Sequence, residues 1–254
     1  MILKRLGNKN NIAKEIQKHF PPHKIYIEPF FGAGGMFFNK PKAKYNIVND
    51  LDSDVFNLFN VVMNQKEELE KAFYMMPIHS DLLDYWKINK ETEPIKKALS
   101  FLLSSNMTWL GIGDKIHTAL KNHKKPFEEN IDKTNEMLKD VIFNNLDVVD
   151  FFKNISFRGL DEINKTLIYC DPPYLGTNDN YSNSFTEEQS KELFDTLEET
   201  GCKFAMSEFD HPFILEQAKQ RNLNVIIIGE RQNLKNRRTE ILVTNYSNSQ
   251  QSLF

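Results

Sequence analysis

The stretch at residues 167–174, Leu-Ile-Tyr-Cys-Asp-Pro-Pro-Tyr, decides the predicted fold. Its first four residues are apolar and predict a buried strand, which the two prolines end because they have no N–H to donate to a sheet. The Asp171 carboxylate, the Pro172 carbonyl and the Tyr174 ring then project from one strand end. They can accept hydrogen bonds from an exocyclic amine and stack on its ring. A rigid turn is the alternative, but four such residues in succession favour amine binding.

A second motif, Phe30-x-Gly32-x-Gly34, follows the first predicted strand and opens a helix. Glycines at this point let the backbone approach a ligand closely. The pattern differs from a nicotinamide fingerprint, which Phe37 breaks, and from a phosphate loop, because no Gly-Lys-Ser/Thr follows. Asp50 ends the second predicted strand, where an acid can hydrogen-bond ribose hydroxyls. A glycine-lined cleft with a ribose acid predicts an adenosyl cofactor without phosphates.

Composition indicates a cytoplasmic α/β protein. The chain has 254 residues and 20 phenylalanines, enough for one large domain or a domain with one sizeable insertion. No apolar run approaches the ~18 residues of a membrane span, and the first residues lack the pattern of a signal peptide. Two cysteines are too few for a disulfide framework, which favours a reducing cytoplasm. The cysteines and histidines show no metal-ligand spacing, so no metal is expected.

Positive charge is segregated, although the net charge is −3. Residues 115–125 and 231–238 are basic and contain no acid. Either run alone can be a solvated face, but two runs flanking a base-binding motif predict a track for nucleic-acid phosphates. The candidate contacts are Lys115, Lys121, Lys124, Lys125, Arg237 and Arg238.

Periodicity predicts seven strands that mostly alternate with helices, which is the pattern of a doubly wound sheet. The last two strands are expected to form an antiparallel hairpin. Between the second and third strands, residues 64–153 have mainly helical patterns and predict a helical insertion. The predicted strands are 25–27, 45–48, 155–158, 167–170, 204–206, 225–228 and 241–243.

These motifs, in this order, resemble those of the Dam-type DNA adenine-N6 methyltransferases, the alpha-class or D12 family. The matching segments cover both ends of the chain. They are 3–9 (the N-terminal Lys-Trp-x-Gly-Gly-Lys element), 26–34 (the Val-Glu-Pro-Phe-x-Gly-x-Gly loop), 49–54 (Asn-Asp-Ile-Asn-x-Asp), 168–174 (the catalytic strand) and 239–246 (a C-terminal strand). Arg5 departs from the family's frequent Trp, and Asn8 from a Gly. Glu208 stands where Asn is frequent and receives no role.

The resemblance implies a Rossmann-like, seven-stranded methyltransferase sheet with a terminal antiparallel hairpin, plus a helical target-recognition domain. Residues 1–63 and 154–254 would form the catalytic domain, which binds S-adenosylmethionine, and residues 64–153 the target-recognition domain. The implied cofactor contacts are Arg5, Lys9, Phe30, Gly32, Gly34, Asp50 and Asp171.

The resemblance also implies the reaction, which is methylation of the N6 amine of an adenine flipped out of double-stranded DNA. The amine would bind at Asp171, Pro172, Pro173 and Tyr174, with Tyr181 or Phe185 as a second aromatic on the base. We expect a monomer, and a cognate restriction endonuclease is compatible with the family. Two alternatives stay open. One is methylation of another amine (cytosine N4, an RNA base or a protein amide), and the other is a catalytically silent DNA-binding subunit of a modification system.

Overall fold

The structure is a computed structural model that describes the chain except Leu6 and residues 109–110, 112, 117–123, 177–184, 233–236 and 248–254. It gives the backbone alone for Arg231, Gln232 and Arg237. The strands form a seven-stranded sheet in the order β3-β2-β1-β4-β5-β7-β6. They are β1 Ile25–Glu28, β2 Tyr45–Asn49, β3 Val141–Asn144, β4 Thr166–Cys170, β5 Lys203–Phe209, β6 Asn224–Gln232 and β7 Arg237–Thr244.

Helices connect most of these strands, and a 3₁₀ helix at Phe37–Asn39 follows the glycine-rich loop. The α-helices of the described chain are α1 Ala13–Gln17, α2 Ser53–Asn64, α3 Lys66–Met75, α4 Ser80–Ile88, α5 Pro94–Met107, α6 Lys125–Glu128, α7 Ile131–Leu138, α8 Val148–Lys153, α9 Leu160–Asn164, α10 Glu187–Glu199 and α11 Pro212–Gln220. Within the described residues, none of the helices combines the length and the hydrophobicity needed to cross a bilayer.

The sheet confirms the predicted mixed topology. β1 pairs in parallel with β2 and β4, and β4 pairs in parallel with β5. β7 then runs antiparallel to both β5 and β6, so the last two strands form the expected hairpin. The β5–β7 register places Phe209 opposite Glu240 and Glu208 opposite Ile241.

The chain divides into two compact units. The first comprises residues 1–11, 32–41 and 50–145, and the second comprises 12–31, 42–49 and 146–254. In the first unit α2 packs against α3, α5 and α7, burying side chains such as Leu58 and Leu102. The target-recognition domain expected at 64–153 stays a prediction.

The core of the second unit lies between the sheet and its helices. Buried side chains of β4 and β5, such as Ile168 and Phe204, meet Phe194 of α10 and Ile214 of α11. All five residues of β4 are buried, as expected for a central parallel strand covered on both faces. This core supports the strand that carries the predicted amine-binding residues.

The prediction of a strand at 155–158 is wrong. These residues form no strand, and the third strand is β3, inside the segment expected to be helical. Ile155 and Phe157 pack partly buried against the core of the second unit, which produces an alternating apolar pattern without sheet hydrogen bonds. Asp140, with φ +58°, makes the turn between α7 and β3.

Candidate active site

The tetrapeptide Asp171-Pro-Pro-Tyr174 follows β4 at the carboxyl edge of the parallel strands. Asp171 is half-buried, Pro172 is buried, and Tyr174 is 9% exposed. Phe30 follows β1, the parallel neighbour of β4, so both segments leave the sheet at the same edge. Its ring meets that of Phe185 edge to face, with centroids 6.3 Å apart. Open α/β sheets bind ligands at this edge.

Tyr174 is held from two directions. Its hydroxyl donates a hydrogen bond to Glu240 Oε1 at 2.5 Å. Its ring meets the Phe209 ring edge to face, with centroids 4.7 Å apart and planes at 84°. Burial, together with the negative charges of Asp171 and Glu240, raises the pKa of the Tyr174 phenol well above its usual value. The hydroxyl therefore stays protonated and remains a donor.

The two residues after the tetrapeptide are also held by side chains of β5 and β7. The Leu175 N–H donates to Glu208 Oε1 at 3.0 Å, and Glu208 Oε2 accepts from the Phe209 N–H at 2.7 Å. The Arg238 guanidinium donates to the Leu175 carbonyl at 3.4 Å and the Gly176 carbonyl at 3.2 Å. The same guanidinium lies 5.4 Å from the Phe209 ring centroid. The backbone after Tyr174 is therefore held by hydrogen bonds with the Glu208 carboxyl group and the Arg238 guanidinium.

Cys170 is a strand residue beside the tetrapeptide and not a nucleophile. Its side chain is fully buried in β4. Burial, followed by the negative charges of Asp171 and Glu28, raises the pKa of the Cys170 thiol well above its usual value. A thiol with a raised pKa yields little thiolate, which is the reactive form.

The glycine-rich loop belongs to the first compact unit and is organised by Asp50. Gly32 and Gly34 have φ of +54° and +72°, a region that favours glycine. The Gly32 N–H donates to Asp50 Oδ2 at 2.6 Å, and the Asp52 N–H donates to Asp50 Oδ1 at 2.9 Å. Burial raises the pKa of the Asp50 carboxyl, and these two backbone hydrogen bonds oppose the rise.

The glycine loop fits an adenosyl cofactor. A Cβ added to Gly32 would meet no described heavy atom within 4 Å, so the space beside this residue is open. A Cβ on Gly35 would lie 2.0 Å from Asn8 Oδ1 and 3.0 Å from the Lys9 backbone nitrogen. Gly35 therefore permits the N-terminal segment to pack on the loop. An open, glycine-lined space with the Asp50 carboxyl bonded to its backbone suits a ligand with ribose hydroxyls.

The N-terminal residues predicted to contact the cofactor lie in the same unit as this loop. Arg5 forms an ion pair with Asp52, with Nη2 and Oδ2 2.7 Å apart. Lys9 is almost fully buried, and its Nζ donates to the Gly7 carbonyl at 3.2 Å. Their roles towards the cofactor stay predictions.

The predicted DNA contacts differ in their surroundings. Lys115 is exposed, and Lys125 forms an exposed ion pair with Glu129 at 3.4 Å. Lys124 Nζ donates to the carbonyls of Tyr74 and Met76 at 2.7 Å, so it caps the end of α3. Lys121, Tyr181 and the side chain of Arg237 lie outside the described residues.

Sequence reasoning missed two acids near the tetrapeptide. Glu240 contacts Tyr174, and Glu208 contacts Leu175, the residue that follows the tetrapeptide. Both are buried, with 0% and 1% of their surface exposed. A signal was present, because each acid stands beside a predicted strand and is followed by a large apolar residue, Phe209 after Glu208 and Ile241 after Glu240. Acids are almost never fully buried unless they are paired. Among the residues that the structure describes, no group of three or more His, Cys, Asp or Glu side chains could hold a metal ion.

Comparison with known proteins gives a family match over most of the chain. Residues 6–242 match the model for the D12 class N6 adenine-specific DNA methyltransferase. The DNA adenine methylase of Escherichia coli (strain K12) is 26% identical over 215 residues, covering 77% of this chain and 74% of that protein. The DNA adenine methylase of Vibrio cholerae (serotype O1, Classical Ogawa 395) is 24% identical over 247 residues, covering 88% and 86%. The N-terminal domain of human METTL16, solved in complex with SAH, superposes with a TM-score of 0.42 at 9% identity, covering 93% of this chain and 68% of that one.

Proposed function

The chain belongs to the D12 class of N6 adenine-specific DNA methyltransferases, and from that premise we propose that the tetrapeptide Asp171-Pro-Pro-Tyr174 binds the adenine that is methylated. The enzyme is S-adenosylmethionine-dependent and acts on adenine in DNA, so the alternatives of another amine and of a silent subunit fall away. The observation that carries the residue assignment is the tetrapeptide's position after β4, with Tyr174 held by Glu240 and Phe209.

The chemistry of the tetrapeptide follows from its atoms. The Asp171 carboxylate and the Pro172 carbonyl accept the two hydrogens of the N6 amine, which draws its nitrogen towards tetrahedral geometry and frees the lone pair. The ring of Tyr174, flanked by Pro173, stacks on the base after the adenine has left the duplex. S-adenosylmethionine supplies the methyl group on a positively charged sulfonium. The amine nitrogen is itself the nucleophile: it would take the methyl group as the carbon–sulfur bond breaks, a neutral thioether would leave, and the nitrogen would release one proton to water. Positioning and electrostatics therefore carry the catalysis.

The cofactor contacts follow the same assignment. Gly32 and Gly34 keep the loop backbone open to the ligand, and Asp50 accepts hydrogen bonds from ribose hydroxyls. The positive φ values and the open space beside Gly32 support these roles. Arg5, Lys9, Phe30 and Asp171 complete the proposed set of cofactor contacts.

We further propose that residues 64–153 read the target sequence and that the basic runs grip DNA phosphates. The exposure of Lys115 and Lys125 supports their part in this surface. Double-stranded DNA is the proposed form of the substrate, acted on in the cytoplasm by a monomer. A cognate restriction endonuclease is compatible with this function.

Replacing Asp171 tests the assignment. Asp171→Ala removes one acceptor for the amine, so we expect turnover to fall by about 10²–10³-fold, as for the loss of one preorganised polar group in other enzymes. The DNA of a host lacking adenine methylation is sequenced for N6-methyladenine after expression of the parent or the variant. Purified proteins then give kcat and circular dichroism spectra. Asp210→Asn, which changes an exposed acid of the same unit, is the control. A folded Asp171→Ala variant with parental turnover would refute the assignment.

A further inference from the structure

Glu208 and Glu240 are buried acids in the second compact unit that the reaction described above does not use. They lie on neighbouring strands, β5 and β7, and are 1% and 0% exposed. Burying a carboxyl group is costly unless it is well paired, and apolar residues of similar size often give equal or greater stability. Two such acids beside one loop therefore call for a reason beyond core packing.

Each acid supports a different part of the same short segment. Glu240 accepts from the side chain of Tyr174 at 2.5 Å, and Glu208 accepts from the backbone of Leu175 at 3.0 Å. The second oxygen of Glu208 accepts from the backbone of Phe209, whose ring packs edge to face on Tyr174. The ring of Tyr174 and the peptide that follows it are thus tied to two adjacent strands of the sheet.

We propose that Glu208 and Glu240 are positioning residues of methyl transfer: they hold Tyr174 and the peptide after it so that the tetrapeptide meets adenine in one geometry. This inference rests on the proposed role of the tetrapeptide. A tyrosine whose hydroxyl and ring edge are both fixed presents its ring in one orientation. The Asp171 carboxylate and the Pro172 carbonyl, which are proposed to accept the amine hydrogens, belong to the same short backbone segment and are held in place with it. A misplacement of 1 Å at a reacting group can cost about 10²-fold in rate.

The electrostatics agree with a preorganised site. Burial raises the pKa of the Glu208 carboxyl to about 8, with further increases from Asp171 and Glu240, while the N–H groups of Leu175 and Phe209 oppose the rise. Glu208 therefore carries less negative charge at neutral pH than an exposed glutamate would. This limits repulsion close to Asp171, which is the proposed acceptor for the amine.

A double-mutant cycle between Tyr174 and Glu240 separates positioning from simple stability. Tyr174→Phe and Glu240→Ala should each lower the single-turnover rate by about 10–100-fold. The KM values for DNA and for S-adenosylmethionine should stay within about threefold of the parent, as expected when an interaction acts on the transition state. The double variant should be no slower than the slower single variant, because both changes remove the same hydrogen bond. Glu240→Gln, whose amide oxygen can still accept, should recover most of the rate.

Glu208→Gln replaces one of the two accepting oxygens of Glu208 by an amide nitrogen, which has no lone pair to accept a backbone N–H even though a protonated carboxyl oxygen still does. We therefore expect a fall in single-turnover rate of about 10-fold or more with KM values near those of the parent. Glu216→Gln changes an exposed glutamate on α11 and should leave both quantities unchanged. Melting temperatures are recorded for every variant.

Three results would overturn the inference: parental rates in folded Glu240→Ala and Glu208→Gln, multiplicative losses in the double variant, or rate losses that follow the melting temperature alone. Failure of the proposed function is distinguishable. If Asp171→Ala keeps parental turnover, the tetrapeptide assignment itself fails. If Asp171→Ala loses turnover as expected while the glutamate variants keep parental rates, only the positioning role fails.

Discussion

Arg238 shows how the surroundings of a single residue change what its charge does. In the sequence it stands in a basic run and predicts a phosphate contact. In the structure its guanidinium donates to two backbone carbonyls, those of Leu175 and Gly176. A planar guanidinium with five donors can serve a backbone loop as well as a phosphate. The contact of Arg238 with DNA stays a prediction, whereas its hydrogen bonds to the backbone after Tyr174 are present in the structure.

Glu208 should make the stability of the protein depend on pH. Its pKa is about 8 in the folded protein, against an ordinary value of 4.5. Between these values the folded state keeps a proton that the unfolded state has lost, so stability falls as pH rises. Glu208→Gln lacks this titration. We therefore expect the parent to lose stability relative to the variant by on the order of 1 kcal/mol per pH unit between pH 5 and 7.5.

Chemical denaturation at several pH values measures this effect. The acceptor lost in Glu208→Gln adds an offset to the free energy of unfolding, but that offset does not depend on pH. Glu216→Gln, which changes an exposed acid, should give a difference from the parent that is nearly constant with pH. Parallel stability curves for the parent and Glu208→Gln would contradict the raised pKa.

At the scale of helices and strands, sequence patterns predicted the structure correctly where the hydrogen bonds join residues close together in the chain. The sequence Thr186-Glu-Glu-Gln189 has the pattern of a capping box, and Thr186 and Gln189 form that box at the start of α10, since both partners lie within one helical turn. Asp52 likewise caps α2 by accepting from the Asp54 N–H at 2.9 Å. The prediction of the third strand at 155–158 was wrong because the alternating apolar residues there reflect burial against the core. A strand also needs a neighbouring strand to pair with, which this pattern does not reveal.

The capping box of α10 can be tested by removing its hydroxyl. Thr186→Ala removes the acceptor for the Gln189 N–H, which lies 3.2 Å from the Thr186 oxygen. We expect a loss of about 1 kcal/mol in the free energy of unfolding, measured by urea denaturation. Thr196→Ala, within the same helix but away from the cap, should change stability by no more than about 0.5 kcal/mol, since alanine favours helix. Equal losses at both positions would show that the cap contributes nothing specific.

At the scale of the whole molecule, DNA binding by a chain of net charge −3 requires local concentration of positive charge. The structure separates the predicted phosphate contacts into different kinds. Lys115 is exposed, whereas Lys124 is tied to the carbonyls at the end of α3. Burial lowers the pKa of the Lys124 ammonium. A lysine that supports a helix end is less available to DNA than one that faces solvent.

Salt dependence distinguishes these two lysines. If Lys115 contacts one phosphate, Lys115→Ala should weaken DNA binding on all sequences alike. It should also reduce the slope of log Kd against log salt concentration by about 0.9, with unchanged stability. Lys124→Ala should instead lower the melting temperature, because the carbonyls of Tyr74 and Met76 lose their donor. Fluorescence anisotropy with duplex DNA at several salt concentrations gives the slopes. An unchanged slope in Lys115→Ala would remove this residue from the DNA surface.

The sequence by itself determined the parts of this protein that depend on neighbouring residues. These are the apolar strand before the tetrapeptide, the glycine loop, the helix caps and the final hairpin. Their signals are local, because a proline, a glycine or a cap acts within a few positions of the chain. The order of these motifs was enough for the family, the reaction and the cofactor.

Only the tertiary structure decided what surrounds the tetrapeptide. Glu208 lies 33 positions from Leu175, and Glu240 lies 66 positions from Tyr174. Which side chains meet across such distances depends on the order and register of β4, β5 and β7. Strand register is set by packing over the whole sheet and not by the residues that finally touch. That is why Glu208, which receives no role from the sequence, becomes in the folded chain a hydrogen-bond partner of the residue that follows the tetrapeptide.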